Sequence, residues 1–121
     1  VTALNFWELL RRPAGLKDLS PDALSQLLAA NGAVRVVDVR TRREYARGHV
    51  AGALSAPLGE TGPAIREWPR ETPVVLICQS GHRSQAAAHE LLRMGFSNVS
   101  HLRGGMFAWM RRSLPQSSDG R

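Results

Sequence analysis

The run Pro73-Val-Val-Leu-Ile-Cys78-Gln-Ser-Gly-His-Arg83-Ser-Gln-Ala-Ala-Ala-His-Glu-Leu-Leu-Arg-Met-Gly95 leaves few choices for the fold around it. Val74 to Ile77 are apolar without alternation, and a proline opens them. That pattern predicts a short strand buried on both faces. From Ser84 a helical pattern runs through Leu91 and Leu92 to Gly95, a natural left-handed C-terminal cap. Between strand and helix lies a tight polar loop with the only cysteine at one end and Arg83 at the other. A thiol so placed sits at the carboxyl end of a parallel strand, where open α/β sheets bind their ligands.

That position has chemical consequences. Backbone N–H groups of Gln79 to Arg83 can turn inward, and the helix N-terminus adds partial positive charge. An anion centred on Cys78 would be held by these donors, and the same field favours thiolate over thiol. His82 and Arg83 add positive charge if they face the pocket. An inert core cysteine is the alternative, and a polar, glycine-containing loop leading straight into a helix argues against it.

Cys78-x-x-Gly81-x-Arg83-Ser84 after an apolar strand resembles the active loop of the rhodanese (thiosulfate sulfurtransferase) family. Upstream, Val37-Asp38-Val39-Arg40, Glu44-Tyr45 and Gly48-His49-Val50-Ala51-Gly52-Ala53-Leu54 match in the family's order. Leu102-Arg103-Gly104-Gly105-Met106-Phe107-Ala108-Trp109 matches further on. The resemblance spans about residues 19 to 112. It implies an α/β fold, rhodanese-like, with a five-stranded, mostly parallel sheet and helices on both faces. The expected division is an N-terminal extension over 1–16, a rhodanese domain over 17–114 and a flexible tail over 115–121.

Composition fits one ordinary globular domain: 121 residues, 43% apolar and 21% charged. No apolar run is long enough to span a membrane. One cysteine makes no internal disulfide, and no Cys/His cluster has zinc spacing. A free thiol suits a reducing compartment, so the cytoplasm is the expected location. The chain begins at Val1 rather than Met, which leaves room for a removed leader. The net charge of +6 comes from 15 arginines and one lysine against ten acids. The arginines are scattered and not interleaved with exposed-looking aromatics, so a solvated surface is expected and nucleic-acid binding is not. A positive field would also steer small anions toward the site.

Taken in order, Phe6, Trp7, Leu9 and Leu10 would share one side of a short helix ended by Pro13. It would serve as a packing arm or as a dimer or partner contact. Ser20-Pro21-Asp22 starts the next helix, with Leu24, Leu27 and Leu28 as its buried stripe and Asn31-Gly32 as its end. Arg35 to Val39 is a strand in which Asp38 interrupts an apolar run, and an acid there needs a reason. The resemblance places Asp38 close under the active loop in a supporting role; pairing with an arginine or a backbone amide is the other reading. Arg40 and Glu44 come next and can reach the loop, Glu44 by pairing with Arg83. His49 can be read as a general base, and the resemblance makes it structural, bonding the turn before a strand at Ala53 to Ala56. One helical segment is expected from Gly62-Pro63 to before Pro69. Asn98 to Leu102 reads as the last strand, and Gly104-Gly105 permits close backbone approach to the loop. Phe107, Trp109 and Met110 open a final helix and are read as core, with an exposed binding stripe as the lesser alternative. The Ser/Gly-rich stretch from Pro115 should fray.

The resemblance implies a sulfurtransferase. Catalytic Cys78 would take sulfur from thiosulfate as a persulfide and pass it to cyanide or a thiol acceptor, with a sulfur-accepting protein as a further partner. Gln79, Ser80, Gly81, His82, Arg83 and Ser84 would bind the donor, and Asp38, Arg40, Glu44 and His49 would support the loop. No metal or organic cofactor is needed. Two alternatives stand: a rhodanese-like sulfur carrier or non-catalytic partner-binding module, and, ranked below it, a cysteine-dependent phosphatase or arsenate reductase. Those relatives use a loop one residue longer. Here only Gln79, Ser80, Gly81 and His82 separate Cys78 from Arg83, a cradle better sized for one sulfur atom than for phosphate.

Overall fold

The computed structural model of the chain describes residues 12–30 and 32–118. The arm expected around Phe6, Trp7, Leu9 and Leu10 and the helix stop at Asn31 lie outside the described residues. Among the described residues, five strands alternate with five helices: β1 (Lys17–Leu19), α1 (Pro21–Ala30), β2 (Arg35–Asp38), α2 (Arg42–Arg47), β3 (Leu54–Ser55), α3 (Thr61–Ile65), β4 (Val74–Ile77), α4 (His82–Arg93), β5 (Val99–Leu102) and α5 (Gly105–Arg111). The strands form one sheet in the order β1-β5-β4-β2-β3, and every neighbouring pair is parallel. Among the described residues, no helix is long and apolar enough to cross a membrane.

Period-two alternation along the central strands divides the core into two layers. Val37, Val74, Leu76 and Val99 pack with Ile65 of α3 and with Ala87, Ala88 and Leu91 of α4. Val36, Val75, Ile77 and Leu102 face the other way, onto Leu24 of α1 and Met106 and Trp109 of α5. The buried residues of α4 are Ser84, Ala87, Ala88 and Leu91, a helical stripe whose two alanines bring the helix close to the sheet. All four residues of β4 are buried, as its unbroken apolar run requires.

The chain leaves β2 toward the edge strand β3 and leaves β4 the other way, to β5, which β1 flanks at the opposite edge. Crossovers that part in this way open a crevice at the carboxyl ends of the two central strands. Asp38 ends β2 and Cys78 follows β4, so the topology itself brings the two segments together.

Four details depart from the sequence reading. The edge strand β1 was not foreseen. α4 begins at His82 rather than Ser84, because Gly81 adopts a left-handed conformation (φ 105°) and turns the chain into the helix at once. In α5, Met106 and Trp109 face the core, and this turns Phe107 and Met110 outward, each 50% exposed. The segment expected to fray from Pro115 is pinned instead. His49 N–H donates to Ser117 O (2.8 Å), Ser117 N–H donates to His49 O (2.7 Å), and the Trp109 indole donates to Pro115 O (2.9 Å). Residues 119–121 lie outside the described residues.

Candidate active site

Cys78 is 1% exposed, its thiol set at the floor of the loop between β4 and α4. The Gly81 N–H donates to Sγ at 2.9 Å, so the loop curls a backbone donor onto the sulfur. The Ser84 hydroxyl lies 3.6 Å from Sγ on the opposite, helical side. Amides in the first turn of α4 have no helical carbonyl to bind, and the helix dipole adds to their positive potential.

α5 holds the loop from below. Met106 N–H donates to Cys78 O (2.9 Å) and Phe107 N–H to Gln79 O (3.1 Å). Close approach is possible because residue 105 is glycine (φ 60°): a Cβ there would lie 2.5 Å from Cys78 O and 2.6 Å from Gln79 O. The Gly104-Gly105 pair thus does what its sequence predicts.

Of the four residues expected to support the loop, Asp38, Arg40 and Glu44 gather around it, and His49 lies apart. Arg40 and Asp38 form a buried ion pair with Nη2–Oδ2 at 2.8 Å, backed by Nε to both carboxylate oxygens. Arg40 also donates to Gly48 O (2.8 Å) and, through Nη1, to Gln79 Oε1 (2.9 Å). Asp38 therefore answers both readings: it pairs with an arginine, and that arginine grips the loop. Arg83 meets Glu44 through two bonds, 2.7 and 2.9 Å. Thr41 caps α2 and binds Glu44 through backbone and hydroxyl, so the carboxylate is fixed before Arg83 reaches it. The Arg83 guanidinium foremost, and the Thr41 donors after it, pull the Glu44 carboxyl down to about 2. His49 is buried, with Nδ1 2.7 Å from Tyr45 O and its ring stacked on Tyr45 at 3.6 Å. It lies in the turn before β3 and makes no contact with Cys78. Ser80 and His82 sit on the exposed crest of the loop, Ser80 Oγ bonded to His82 Nδ1 at 3.0 Å.

Two residues that the sequence reading missed belong to this site. His101, in β5, places Nδ1 2.8 Å from Ser84 Oγ and Nε2 2.7 Å from Asp18 Oδ1 of β1. The sequence clue was a histidine within a short strand pattern, Val99-Ser-His-Leu102.

Beside the loop lies a cleft of about 260 Å³, lined by Arg40, Glu44, Arg47, Gly48, Gln79, Met110 and Gln116. Its wall carries donors for an anion, and the exposed Met110 gives it an apolar lip.

Residues 20–112 match the rhodanese-like domain model. The chain belongs to the rhodanese-like family. It is 38% identical over 100 residues to a sulfurtransferase of Allochromatium vinosum, covering 83% of this chain and 94% of that protein. It is 39% identical over 104 residues to the thiosulfate sulfurtransferase GlpE of Pseudomonas entomophila, covering 86% and 94%. A rhodanese-related protein of Thermoplasma volcanium, solved by crystallography, superposes with a TM-score of 0.75 at 25% identity, covering 85% of this chain and 99% of that one. The chain is thus a rhodanese-like domain, similar to sulfurtransferases, with a buried cysteine.

Proposed function

We propose that this rhodanese-like domain transfers sulfane sulfur from thiosulfate, or a related anionic donor, to cyanide or a thiol through a persulfide on Cys78. The observation that carries the reading is the Gly81 amide held 2.9 Å from Sγ at the mouth of a helix N-terminus. The Cys78 thiolate attacks the outer sulfur of thiosulfate. The S–S bond to the sulfonate sulfur breaks, sulfite leaves with the bonding pair, and Cys78 keeps the transferred sulfur as a persulfide anion. First-turn amides of α4 face the charge of that added sulfur, as an oxyanion hole faces its oxygen. Cyanide or a thiolate then attacks the outer sulfur, and the Cys78 thiolate leaves. Two half-reactions sharing one covalent intermediate give ping-pong kinetics.

Gln79, Ser80, Gly81, His82, Arg83 and Ser84 form the donor's cradle in this reading. Arg83 shares its charge with Glu44, so backbone amides take the larger part in holding the anion. Asp38, Arg40, Glu44 and His49 keep the cradle's shape. The two curated relatives named above, both called sulfurtransferases, support the assignment. The four-residue spacing from Cys78 to Arg83 favours sulfur over phosphate.

A second reading has Cys78 carry sulfur for a partner protein. Phe107 and Met110, half-exposed on the helix whose N-terminus holds the loop, favour it. Intact mass before and after thiosulfate, with Cys78→Ser alongside, tests the first reading. A gain of one sulfur atom, removed by cyanide and absent in the variant, is expected; no adduct would end it. Transfer from the loaded protein to protein thiols, if faster than to cyanide, selects the carrier.

A further inference from the structure

Asp18 and His101 are register partners across β1 and β5. Their side chains continue into the loop as one chain of contacts: Asp18 Oδ1 to His101 Nε2, His101 Nδ1 to Ser84 Oγ, and Ser84 Oγ to Cys78 Sγ. We propose that His101, held by Asp18, is the proton acceptor for Cys78, acting through the Ser84 hydroxyl. The inference rests on the reading of Cys78 as a nucleophile and adds the residues that ready it.

Hydrogen-bond bookkeeping fixes the direction. The Asp18 carboxylate accepts from Nε2–H, which leaves a lone pair on Nδ1 aimed at the Ser84 hydroxyl. Ser84 O–H, which also lies 3.1 Å from Gly81 O, turns to that lone pair at 2.8 Å while Gly81 O keeps the Gln85 amide, and the Ser84 oxygen accepts the Cys78 S–H. When Cys78 ionises, the S–H bond breaks and its electron pair stays on sulfur. The proton passes to Ser84 Oγ as the Ser84 proton passes to Nδ1. Every bond in the chain then reverses: imidazolium Nδ1–H donates to Ser84, and Ser84 O–H donates to the thiolate. Both charge states leave each donor with an acceptor, so the relay has no orphaned form. Net charge is unchanged, and Asp18 stays ionised beside the new imidazolium.

The surroundings suit this role. His101 is buried against the loop, its Cε1 4.0 Å from where a Cβ on Gly81 would stand. Burial is the largest influence on it and holds the imidazole below the usual histidine range, so it rests neutral, with Asp18 pulling the other way and Arg12 adding to the depression. The facing charged groups on the described elements are Asp18 of β1 with Arg12 on the same oxygen, Cys78 after β4, and Arg83 of α4, which Glu44 compensates. The backbone nitrogen of Gly104, the residue before α5, lies 3.6 Å from the Gly81 Cβ position. His82, the other histidine of this region, is exposed and bonded to Ser80, away from the sulfur.

The test reads Cys78 ionisation without any sulfur donor. Alkylation of Cys78 by iodoacetamide is followed across pH in the full chain, in His101→Asn and in Asp18→Asn. Loss of the acceptor that becomes the thiolate's cationic partner shifts a thiol by about one unit, so His101→Asn should alkylate about tenfold more slowly at pH 7 with its profile moved to higher pH. Asp18→Asn should move the same way by less. NMR titration of the His101 ring should show the reciprocal effect, a lower midpoint in Cys78→Ser, because coupling between two sites acts equally on both. An unchanged alkylation profile in either folded variant, or an unchanged His101 midpoint in Cys78→Ser, overturns the proposal. Should His101→Asn not fold, Asp18→Asn decides, since Asp18 is 35% exposed and tolerates the change. A Cys78 that never gains sulfur from thiosulfate sinks the sulfurtransferase reading and leaves this result standing.

Discussion

Glu44 and Arg83 meet carboxylate to guanidinium in a two-point ion pair, Oε1–Nη1 at 2.7 Å and Oε2–Nη2 at 2.9 Å, which ties α2 to the first turn of the helix that carries the cysteine loop. They lie 39 positions apart in sequence, and each comes from the helix that follows a central strand. Glu44→Ala should therefore loosen the loop. The pair is about one-third exposed, so solvent screening limits its direct worth to about 1 kcal/mol. Misplacement of the loop should cost more than that in turnover, about tenfold or greater. Turnover and Cys78 alkylation equal to the parent's would show the pairing to be idle.

The same carboxylate sets an acid limit. Glu44 falls from 4.5 to about 2 in the folded protein. A depressed carboxylate contributes stability that is fully present above its unfolded value and is lost as pH drops through the folded one. Urea midpoints should therefore fall between pH 4.5 and about 2 in the parent, and Glu44→Gln should flatten that part of the curve. Parallel curves for the two proteins would refute the assignment.

Arg40 and Asp38 are a different kind of pair, buried on all sides and joined to both Gly48 and Gln79. Removal of one partner strands the other charge away from water, at a cost of about 3–5 kcal/mol. Arg40→Ala should be the more damaging change; Asp38→Ala with Arg40→Ala should recover part of the loss, a coupling of about 1–3 kcal/mol in a double-mutant cycle. Simple additivity by urea denaturation would mean that the pair does not act as a unit.

Physical reasons separate what the sequence makes legible from what it hides. Val74 to Ile77 could be read because a strand buried on both faces admits only apolar residues, and the α4 stripe because a helix against a sheet repeats at fixed spacing. Asp38 could be flagged because an acid inside an apolar run is costly unless paired. β1 could not be read. Lys17, Asp18 and Leu19 are three residues at a sheet edge, and they earn their strand only by backbone pairing with β5. With β1 unseen, Asp18 and His101, 83 positions apart, had no reason to meet. The orientation of α5 was hidden for another cause: Met106, Phe107, Trp109 and Met110 offer apolar residues on more than one side. Anchoring of its N-terminus under the cysteine loop decides which pair turns inward.

Gly105 provides a test of that anchoring. With φ at 60° and Cys78 O only 2.5 Å from the Cβ position, Gly105→Ala must shift backbone rather than a side chain. Strain at such a residue costs about 1–3 kcal/mol, and a displaced loop should lose sulfur transfer by about 100-fold. Gly52→Ala is the matched control, since its φ is 85° but nothing lies within 4 Å. It should be destabilised by about 1 kcal/mol with transfer unaffected. Equal transfer losses in the two variants would point to strain alone and remove the loop contact from the explanation.

The segment after α5 offers the last test. Ser117 and His49 exchange both backbone bonds as an isolated antiparallel bridge, and Pro115 O accepts from the Trp109 indole. His49 and Trp109 are buried, so loss of their partners leaves polar groups without water to replace them. Three such bonds at about 1 kcal/mol each predict that a stop codon after Leu114 lowers stability by about 3 kcal/mol in urea. Gln116 lies in the same segment and lines the cleft beside Gln79. Gln116→Ala should keep the backbone bonds and the urea midpoint, while raising KM for a thiol acceptor that enters through that cleft. A truncated chain with the parent's midpoint would show that the bridge stabilises nothing. A parental KM in Gln116→Ala would place the acceptor's approach elsewhere around the loop.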